Sequence, residues 1–413
     1  MKKEKKIDLK TGCLFSGSPH PDEKSAHWKV LRLPDGLPPL DLEWLSEIAN
    51  SPVKDAGYTR TFYSYPAKFQ AQLPNQLVAA ATQPGDLVCD PYCGGGTTGL
   101  ECLLLNRRFV GYDLSPFAVL ISRVKITKIK VNNIYRVLRE AIKVRSTPKT
   151  TVFDAGDVEC IGKEVANEIN SIFENIVNSD LSGAEKDFLK LALIHTVKIV
   201  GRRDFTKHEV STQSILFKQA DELPRPSVLP LFETKVNKML REIEEIPKKA
   251  PKPKFFCASN HHMKLGNNCV DLIITSPPYK DLDVEYGLIQ LQRRELNRSK
   301  RSEVIWRILG IKTVAKDKLC GDKGNSYWEN LAGSLTECHR VLKKNHLAFF
   351  WIGFKTDSDQ EIFCSYLKKY DLPVEHLIPV RLGDDRVASS RSTHHGRDTG
   401  MMERDFLIVT RCR

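Results

Sequence analysis

The sequence predicts an α/β protein built on a doubly wound, mostly parallel sheet that a helical insertion interrupts. Between Leu87 and Tyr112 a short buried strand, a glycine-rich turn, a helix and a second strand follow one another. A unit of this kind and length implies a right-handed crossover and parallel strands. Strand patterns return after residue 254, whereas the preceding hundred residues are mostly helical in pattern. We therefore predict four parts: an extension over 1–60, one half of the sheet domain over 61–150, the insertion over 151–250, and the other half over 251–413.

Short apolar runs rich in β-branched and aromatic residues predict the individual strands. These runs span 87–89, 108–112, 255–258, 270–274, 347–352 and 406–409. Helical patterns span 97–105 and 117–144. In the insertion, Ser182 and Glu185 have the spacing of a capping box, and His195 falls on the apolar face of the helix that follows. His195 is therefore predicted to be a core residue and not a catalyst.

Composition narrows the class of protein. The 413 residues include 63 Lys or Arg against 51 Asp or Glu, and this net charge of +12 favours a polyanionic partner without separating DNA from RNA or an acidic membrane face. The apolar fraction of 41% excludes wholesale disorder, and no apolar run is long enough to span a membrane. The eleven cysteines are scattered along the chain, which predicts that most are buried thiols in a reducing compartment. None has the spacing of a metal site, so we predict no metal.

A glycine-rich turn follows the first strand of the sheet, and an acid follows the second. Gly94, Gly95 and Gly96 allow close approach of a ligand, and the helix that begins near Thr97 directs free N–H groups to the same crevice. The spacing of the glycines also satisfies a dinucleotide fingerprint, which leaves a nicotinamide or flavin cofactor as an alternative. Asp90 favours instead a cationic ligand with an ammonium group and a sulfonium centre, because a pyrophosphate binds to hydrogen-bond donors and a carboxylate offers none. Asp113 is predicted to accept hydrogen bonds from two ribose hydroxyls.

A second turn, Thr275-Ser276-Pro277-Pro278-Tyr279, follows the strand over 270–274. The rule for parallel sheets places it in the same crevice at the carboxyl ends of the strands. Its chemistry suits an exocyclic aromatic amine, since Ser276 Oγ and the Pro277 carbonyl can accept from the two N–H groups and prepare the nitrogen lone pair for attack. Pro278 stiffens the turn, and Tyr279 offers a face on which an extruded base can stack.

The two turns together resemble those of the DNA amino-methyltransferase family, which transfers a methyl group from S-adenosylmethionine to cytosine N4 or adenine N6. The resemblance also includes Tyr65-Pro66-Ala67-Lys68-Phe69 with Leu73-Pro74. It implies a Rossmann-like methyltransferase sheet, S-adenosylmethionine as cofactor, and double-stranded DNA with a flipped target base as substrate. It further implies a restriction-modification system with a separate cognate restriction endonuclease, in a prokaryotic cytoplasm and associated with the nucleoid.

By the same resemblance, particular residues take family roles. The catalytic residues would be Ser276, Pro277, Pro278 and Tyr279. The residues that bind the cofactor would be Lys68, Phe69, Asp90, Pro91, Cys93, Gly94, Gly96, Thr97, Thr98, Asp113, Leu114, Ser115 and Asn260. Asn260 falls where the family has an acidic residue near the adenine ring. A serine at the first position of the catalytic tetrapeptide is more usual for cytosine N4 than for adenine N6.

Three segments are candidates for contact with DNA. The segment 292–318 carries nine Lys or Arg against three acidic residues, which is either a phosphate-contacting surface or a solvated helix face. The insertion is the second candidate, through Arg202 and Arg203. The loop over 386–397 is either a DNA contact or a plain surface loop. The residues predicted to bind DNA are Arg293, Arg294, Arg298, Lys300, Arg301 and Arg391.

The preferred prediction is thus a site-specific enzyme that makes N4-methylcytosine in duplex DNA. Three alternatives stay open at this point. They are an adenine-N6 DNA methyltransferase, an RNA guanine-N2 methyltransferase with a similar Pro-Pro-Tyr turn, and a DNA-binding protein without catalysis.

Overall fold

The structure is a computed structural model of the 413-residue chain. It describes residues 30–51, 57–63, 65, 70–143, 148–201, 228–247, 249–280, 288–293, 298–311, 325–380 and 404–413. Among the predicted site residues, Lys68, Phe69, Arg202, Arg203, Arg294 and Arg391 lie outside the described residues.

The described strands, in chain order, are β1 Val30–Leu31, β2 Leu40–Asp41, β3 Leu87–Asp90, β4 Arg108–Asp113, β5 Lys254–Cys257, β6 Val270–Thr275, β7 Ile289–Arg293, β8 Arg298–Ser302, β9 Leu342–Phe354, β10 Val374–Val380 and β11 Arg404–Arg411. The described α-helices are α1 Leu42–Asn50, α2 Gln72–Ala81, α3 Thr97–Leu104, α4 Pro116–Ile126, α5 Val131–Lys143, α6 Ala155–Ile161, α7 Lys163–Asn178, α8 Gly183–Gly201, α9 Val228–Glu244, α10 Val304–Leu309, α11 Asn325–Val341 and α12 Asp357–Lys369. Single 3-10 turns span Tyr58–Thr61 and Asn260–His262.

The chain divides into two compact units. The first contains residues 1–126, 246–284 and 316–413, and the second contains residues 127–245 and 285–315. The helical part of the second unit therefore begins earlier than the predicted insertion over 151–250. Most of the basic segment 292–318, which the sequence assigned to the second half of the sheet domain, groups with the helices of the second unit.

The first unit is built on a seven-stranded sheet with the order β10-β11-β9-β6-β3-β4-β5. The pairs β3–β4, β3–β6, β4–β5 and β6–β9 are parallel, whereas β11 is antiparallel to both β9 and β10. From β3 the chain continues to β4 and β5 on one side and later returns to β6 and β9 on the other. The predicted fold class is confirmed: a Rossmann-like, mostly parallel α/β sheet with a switch point between β3 and β6, where such sheets bind ligands.

Two secondary-structure predictions were wrong in detail. The single helix predicted over 117–144 is two helices, α4 and α5, separated at Thr127–Lys130. Five β-branched residues between Val124 and Val131 lower the helix propensity here. The strand β10 was not predicted, because Val374–Val380 is half-exposed and lacks a continuous apolar run. The described part of the predicted extension over 1–60 contains β1, β2 and α1, and α1 has a buried face that includes Trp44 and Ile48.

The second unit packs α5 to α9 together with the hairpin of β7 and β8. The predicted capping box is confirmed: the Ser182 N–H donates to Glu185 Oε2 at 2.9 Å, and Glu185 N–H lies 3.4 Å from Ser182 Oγ. Burial lowers the pKa of His195 to about 3, which fits the predicted core histidine, because burial disfavours the charged form of the ring.

A buried ion pair holds the region before the sheet to its first helix. The Arg60 guanidinium donates to both carboxylate oxygens of Glu101, at 2.8 and 2.7 Å, and Asn75 Nδ2 donates to the same carboxylate at 2.9 Å. The side chains of Arg60 and Glu101 are 2% and 0% exposed.

Among the described residues, no helix is both long and apolar enough to cross a membrane.

Replacing Arg60 with alanine should lower the free energy of unfolding by about 3–5 kcal/mol, because the Glu101 charge would stay buried without its main partner. Urea denaturation followed by intrinsic fluorescence measures this loss. Lys369→Ala is the control: its ammonium lies 5.7 Å from the Tyr366 ring at the exposed surface, and its removal should change the free energy by less than about 1 kcal/mol. Equal losses in the two variants would contradict the assignment.

Candidate active site

The glycine turn between β3 and α3 has the backbone shape that only glycine adopts readily. Gly94 and Gly96 have φ values of 45° and 72°, and Gly96 precedes the first residue of α3. The turn is closed by the Gly96 N–H, which donates to the Cys93 carbonyl at 2.8 Å. A Cβ built on Gly96 would lie 2.6 Å from Ser122 Oγ, so the turn also approaches α4 too closely for a side chain. This close approach is to α4, and the close approach of a ligand to the glycines stays a prediction.

Asp90, at the end of β3, is 2% exposed and accepts three hydrogen bonds. The donors are the Tyr92 N–H at 3.1 Å, Thr98 Oγ1 at 3.1 Å and Thr275 Oγ1 at 2.7 Å. Burial nevertheless raises the pKa of this carboxyl to about 7. The sequence analysis placed this carboxylate opposite a cationic ligand, and that role stays a prediction. The carboxylate is directed into the protein, where it links the glycine turn, the start of α3 and the end of β6.

Asp113 lies at the end of β4 and directly contacts the glycine turn. Its Oδ2 accepts the Gly94 N–H at 2.9 Å and its Oδ1 accepts the Ser115 N–H at 2.8 Å. Burial raises its pKa to about 6. Each oxygen has a further lone pair, so the carboxylate can still accept two hydroxyl groups. Leu114 beside it is 47% exposed, which leaves an apolar surface at the rim of the crevice.

The second turn follows β6 directly, so it lies beside the glycine turn. Thr275 is buried and bonded to Asp90, whereas Ser276 and Tyr279 are half-buried at the crevice. The Tyr279 ring packs against Gly353 of β9, where an added Cβ would lie 2.7 Å from ring atom Cε2. The structure thus brings together the two turns that the sequence analysis selected, through one hydrogen bond between residues 185 positions apart.

Asn260, predicted near an adenine ring, is buried and donates from Nδ2 to the Pro91 carbonyl at 2.9 Å. This bond ties the turn after β5 to the residue that follows Asp90. The amide hydrogens of Asn260 are therefore partly used within the protein, and the side chain helps to shape the glycine turn.

Two residues around the turn were missed by sequence reasoning. Ser122 Oγ donates to the Gly94 carbonyl at 2.8 Å. Lys125 is 1% exposed, and its ammonium donates to the Gly95 carbonyl at 2.7 Å. Tyr65, which the sequence analysis noted as part of a motif, packs on the same glycines, with ring atoms within 3.6 Å of a Cβ built on Gly94. The one available signal for Lys125 was a lysine near the end of a mostly apolar helical run over 117–126.

The basic segment has structural roles that its composition did not reveal. Lys300 pairs with Asp154 and, at 3.2 Å, with Asp157, and Arg307 pairs with the same two carboxylates at 2.8 and 2.6 Å. Lys300 was predicted to contact DNA. Its ammonium is held by two acids, one in α6 and one at the N-cap of α6, and contact with DNA stays a prediction. The described part of the segment is a β-hairpin followed by α10, so it is not a single solvated helix face. Arg301 is exposed, and nothing is described of the side chains of Arg293 and Arg298.

Within the part of the chain that the structure describes, one cluster of possible metal ligands lies near the amino end of β6, away from the two turns. It consists of Asp35, Asp271 and His346. Asp271 accepts from the Leu87 N–H at 2.7 Å and from Lys343 Nζ at 2.5 Å. Because Lys343 already supplies positive charge there, the cluster has an explanation that needs no metal ion.

Comparisons with known proteins agree with this geometry. A family model described as "DNA methylase" matches residues 2–123. Type II methyltransferase M.MvaI of Kocuria varians is 21% identical over 257 residues, which is 55% of this chain and 55% of that protein. Type II methyltransferase M.MjaII of Methanocaldococcus jannaschii is 31% identical over 80 residues, 19% of this chain and 15% of that protein. M.XycI of Xanthomonas campestris pv. cyanopsidis is 46% identical over 48 residues, 12% and 16% of the two chains.

The chain thus spans about half or less of the length of these relatives. The class defined by the fold and the two turns is a Rossmann-like α/β protein with a ligand crevice at the switch point. Within that class, the resemblance to the DNA amino-methyltransferases of restriction-modification type is confirmed.

Gly96→Ala should destabilise the protein by about 1–3 kcal/mol, because the new Cβ requires a positive φ and meets Ser122. Thermal unfolding measures the effect. Gly266→Ala in the same unit is the matched control, since a Cβ there meets no described atom within 4 Å. A Gly96→Ala protein as stable as Gly266→Ala would show that the turn has a different shape.

Proposed function

We propose that this protein is an S-adenosylmethionine-dependent DNA methyltransferase that acts on the exocyclic N4 amine of cytosine. The observation that carries the proposal is the 2.7 Å hydrogen bond from Thr275 Oγ1 to Asp90, because it holds a cofactor-type glycine turn and a Thr-Ser-Pro-Pro-Tyr turn side by side. The three relatives described above are all type II methyltransferases, which supports the same reaction class.

The residues at the glycine turn fit such a cofactor. Asp113 retains a lone pair on each oxygen for two ribose hydroxyls, and exposed Leu114 offers a surface for an adenine ring. The free N–H groups at the start of α3 favour a carboxylate. When bound, the cofactor supplies an activated methyl group on a sulfonium. The chain's own contribution is to bind and orient that group, and no metal ion is required.

The Thr-Ser-Pro-Pro-Tyr turn would prepare the amine. Ser276 Oγ and the Pro277 carbonyl accept from its two N–H groups, so that the nitrogen becomes pyramidal and its lone pair points outward. The lone pair of the nitrogen would attack the methyl carbon. The carbon–sulfur bond would break at the same time, and the electron pair of that bond would stay with sulfur. The amine then loses one proton. The Tyr279 ring would stack on the base after its extrusion from the duplex, which supplies the access that an amine inside the helix lacks.

Cytosine N4 is preferred over adenine N6 because serine stands at position 276. The adenine-N6 enzyme is the second candidate, since the same two acceptors fit either amine. The remaining parts of the proposal are contact of exposed Arg301 with DNA phosphates, a cognate restriction endonuclease in the same prokaryotic host, and action on DNA in the nucleoid.

The deciding experiment incubates the protein with duplex DNA and methyl-labelled S-adenosylmethionine, and analyses the nucleosides by mass spectrometry. Labelled N4-methylcytosine is the expected product. Labelled N6-methyladenine would establish the second candidate instead. A parallel incubation with RNA that yields N2-methylguanosine, or a folded protein that binds DNA and transfers no methyl group to DNA or RNA, would overturn the proposal.

Affinity for S-adenosylmethionine should fall as the pH drops below about 6, because Asp113 then takes up a proton and no longer offers two charged acceptor oxygens. Isothermal titration at pH 5, 6 and 7.5, chosen as roughly bracketing values, tests this dependence. Asp113→Asn should bind more than about tenfold more weakly at pH 7.5, since hydrogen bonds to a charged group contribute about 1.5–3 kcal/mol each. This variant should also lack the loss near pH 6, and a loss of equal size in it would assign the titration to another group.

Ser276→Ala should lower the rate of methyl transfer far more than the affinity for cofactor or DNA. Its hydroxyl accepts a hydrogen bond that strengthens as the nitrogen becomes pyramidal, and losing such a contact costs roughly 10²–10³ in rate. Single-turnover transfer with both substrates saturating measures the effect. Ser365→Ala, at an exposed position of α12, is the control. A near-normal rate for Ser276→Ala would mean that the amine is activated elsewhere.

A further inference from the structure

The turn that follows β6 is held from outside by residues of two later helices. The Tyr327 hydroxyl of α11 donates to the Pro278 carbonyl at 3.0 Å. Lys280, directly after the turn, donates to Asp359 Oδ1 of α12 at 2.6 Å and lies 5.6 Å from the centre of the Trp328 ring. None of these partners belongs to the glycine turn or to the tetrapeptide itself.

A turn with two consecutive prolines needs such external contacts. Pro277 and Pro278 have no N–H, so the turn cannot be closed by hydrogen bonds that these two residues donate. Their rings fix φ, but the peptide plane between Pro278 and Tyr279 is set by the ψ angle of Pro278, which the ring leaves free. The bond from Tyr327 restrains the carbonyl of that plane, and with it the direction in which Tyr279 leaves the backbone.

The groups that hold the turn are themselves rigid. Tyr327 and Trp328 are 4% and 8% exposed, and their rings meet edge to face with centroids 5.0 Å apart. Asp359 accepts from Thr356 Oγ1 at 2.9 Å, and its N–H donates to the same hydroxyl at 3.1 Å, which completes the N-terminus of α12. Lys280 is therefore attached to a fixed carboxylate and Tyr327 to a packed aromatic cluster.

The same bond affects which carbonyl can receive the substrate. Because the Pro278 carbonyl accepts from Tyr327, the neighbouring Pro277 carbonyl and Ser276 Oγ are the acceptors that the turn has left for an incoming amine. On the far side, Gly353 allows the Tyr279 ring to pack against β9. The Tyr279 ring is then fixed from both ends, by its backbone through Pro278 and by its edge through Gly353.

We propose that Tyr327 is a positioning residue for methyl transfer, which acts through the Pro278 carbonyl to orient the Pro277 carbonyl and the Tyr279 ring, with the Lys280–Asp359 pair as a second anchor of the turn. The inference rests on the proposed function and adds residues that contact neither the cofactor nor the base. It predicts an effect on transfer geometry and not on cofactor affinity.

The test compares Tyr327→Phe with Tyr366→Phe in the full chain. Both changes remove one hydroxyl and keep the ring, and both rings contact Trp328, at centroid distances of 5.0 and 5.5 Å. Among the described residues no hydrogen bond involves the Tyr366 hydroxyl, which makes it the matched control. Single-turnover transfer is measured at saturating DNA and S-adenosylmethionine, together with cofactor affinity and the midpoint of thermal unfolding.

Tyr327→Phe should lose about tenfold in single-turnover rate, less than the roughly hundredfold that misplacement by about 1 Å can cost. Cofactor affinity should match that of Tyr366→Phe, which should transfer at the wild-type rate. Asp359→Asn is the second variant if Tyr327→Phe is poorly folded: it weakens the other anchor and should also slow transfer without changing cofactor affinity.

Three outcomes would overturn the inference. They are equal transfer rates in the two phenylalanine variants, a loss of cofactor affinity as large as the loss of rate, or a normal rate in Asp359→Asn when Tyr327→Phe does not fold. A wild-type protein that transfers no methyl group would instead contradict the proposed function itself.

Discussion

The site depends on one buried carboxylate. Asp90 receives hydrogen bonds from Tyr92, Thr98 and Thr275, which belong to the glycine turn, the first turn of α3 and the last residue of β6. Burial without these donors would disfavour the ionised form strongly, and even with them the pKa is raised to about 7. A change in any one donor would therefore leave a poorly satisfied acid at the centre of the crevice. The hydrogen bond from Thr275 to Asp90 therefore helps to set the relative position of the two turns. The pairing of β3 with β6 fixes only the register of the two strands, not the turns that follow them.

The packing around Asp90 follows from the same constraint. A turn held this tightly against the sheet leaves no space for side chains, and a Cβ built on Gly99 would lie 2.6 Å from Phe255, one on Gly111 2.8 Å from Cys93. The carbonyls of Gly94 and Gly95 point away from the crevice to Ser122 and Lys125. The N–H groups of Gly94 and Gly96 are also used within the protein, by Asp113 and the Cys93 carbonyl, so the remaining lone pairs of the Asp113 carboxylate are the polar groups that this part of the site leaves for a ligand. The packing of the glycine turn against α4 thus determines which polar groups of the turn can bind a ligand.

Local patterns were sufficient for six of the seven strands of the sheet and for both turns, because a buried strand, a glycine turn and a helix are specified by neighbouring residues. The side-chain partners could not be predicted in the same way. The donor that links Asp90 to the second turn is 185 residues away, and Lys300 finds Asp154 across 146 residues. Lys300 illustrates the limit: nine basic residues in one segment predicted a surface for phosphates, but the ionic partner of each depends on which acid folds beside it. The three donors to Asp90 could not be predicted for the same reason.

The two turns are fixed by different means. The glycine turn has positive φ angles at Gly94 and Gly96, and it is held by the hydrogen bonds that its carbonyls accept from Ser122 and Lys125 and by the bond from the Gly94 N–H to Asp113. The proline turn offers few donors and is fixed through its carbonyls and flanking side chains, as in the bond from Tyr327 to Pro278. Acceptors that do not need to reorganise favour a pyramidal amine over a planar one, because their direction is set before the substrate arrives. In the proposed reaction, the stiffness of the proline turn would therefore lower the free-energy cost of preparing a weakly nucleophilic nitrogen.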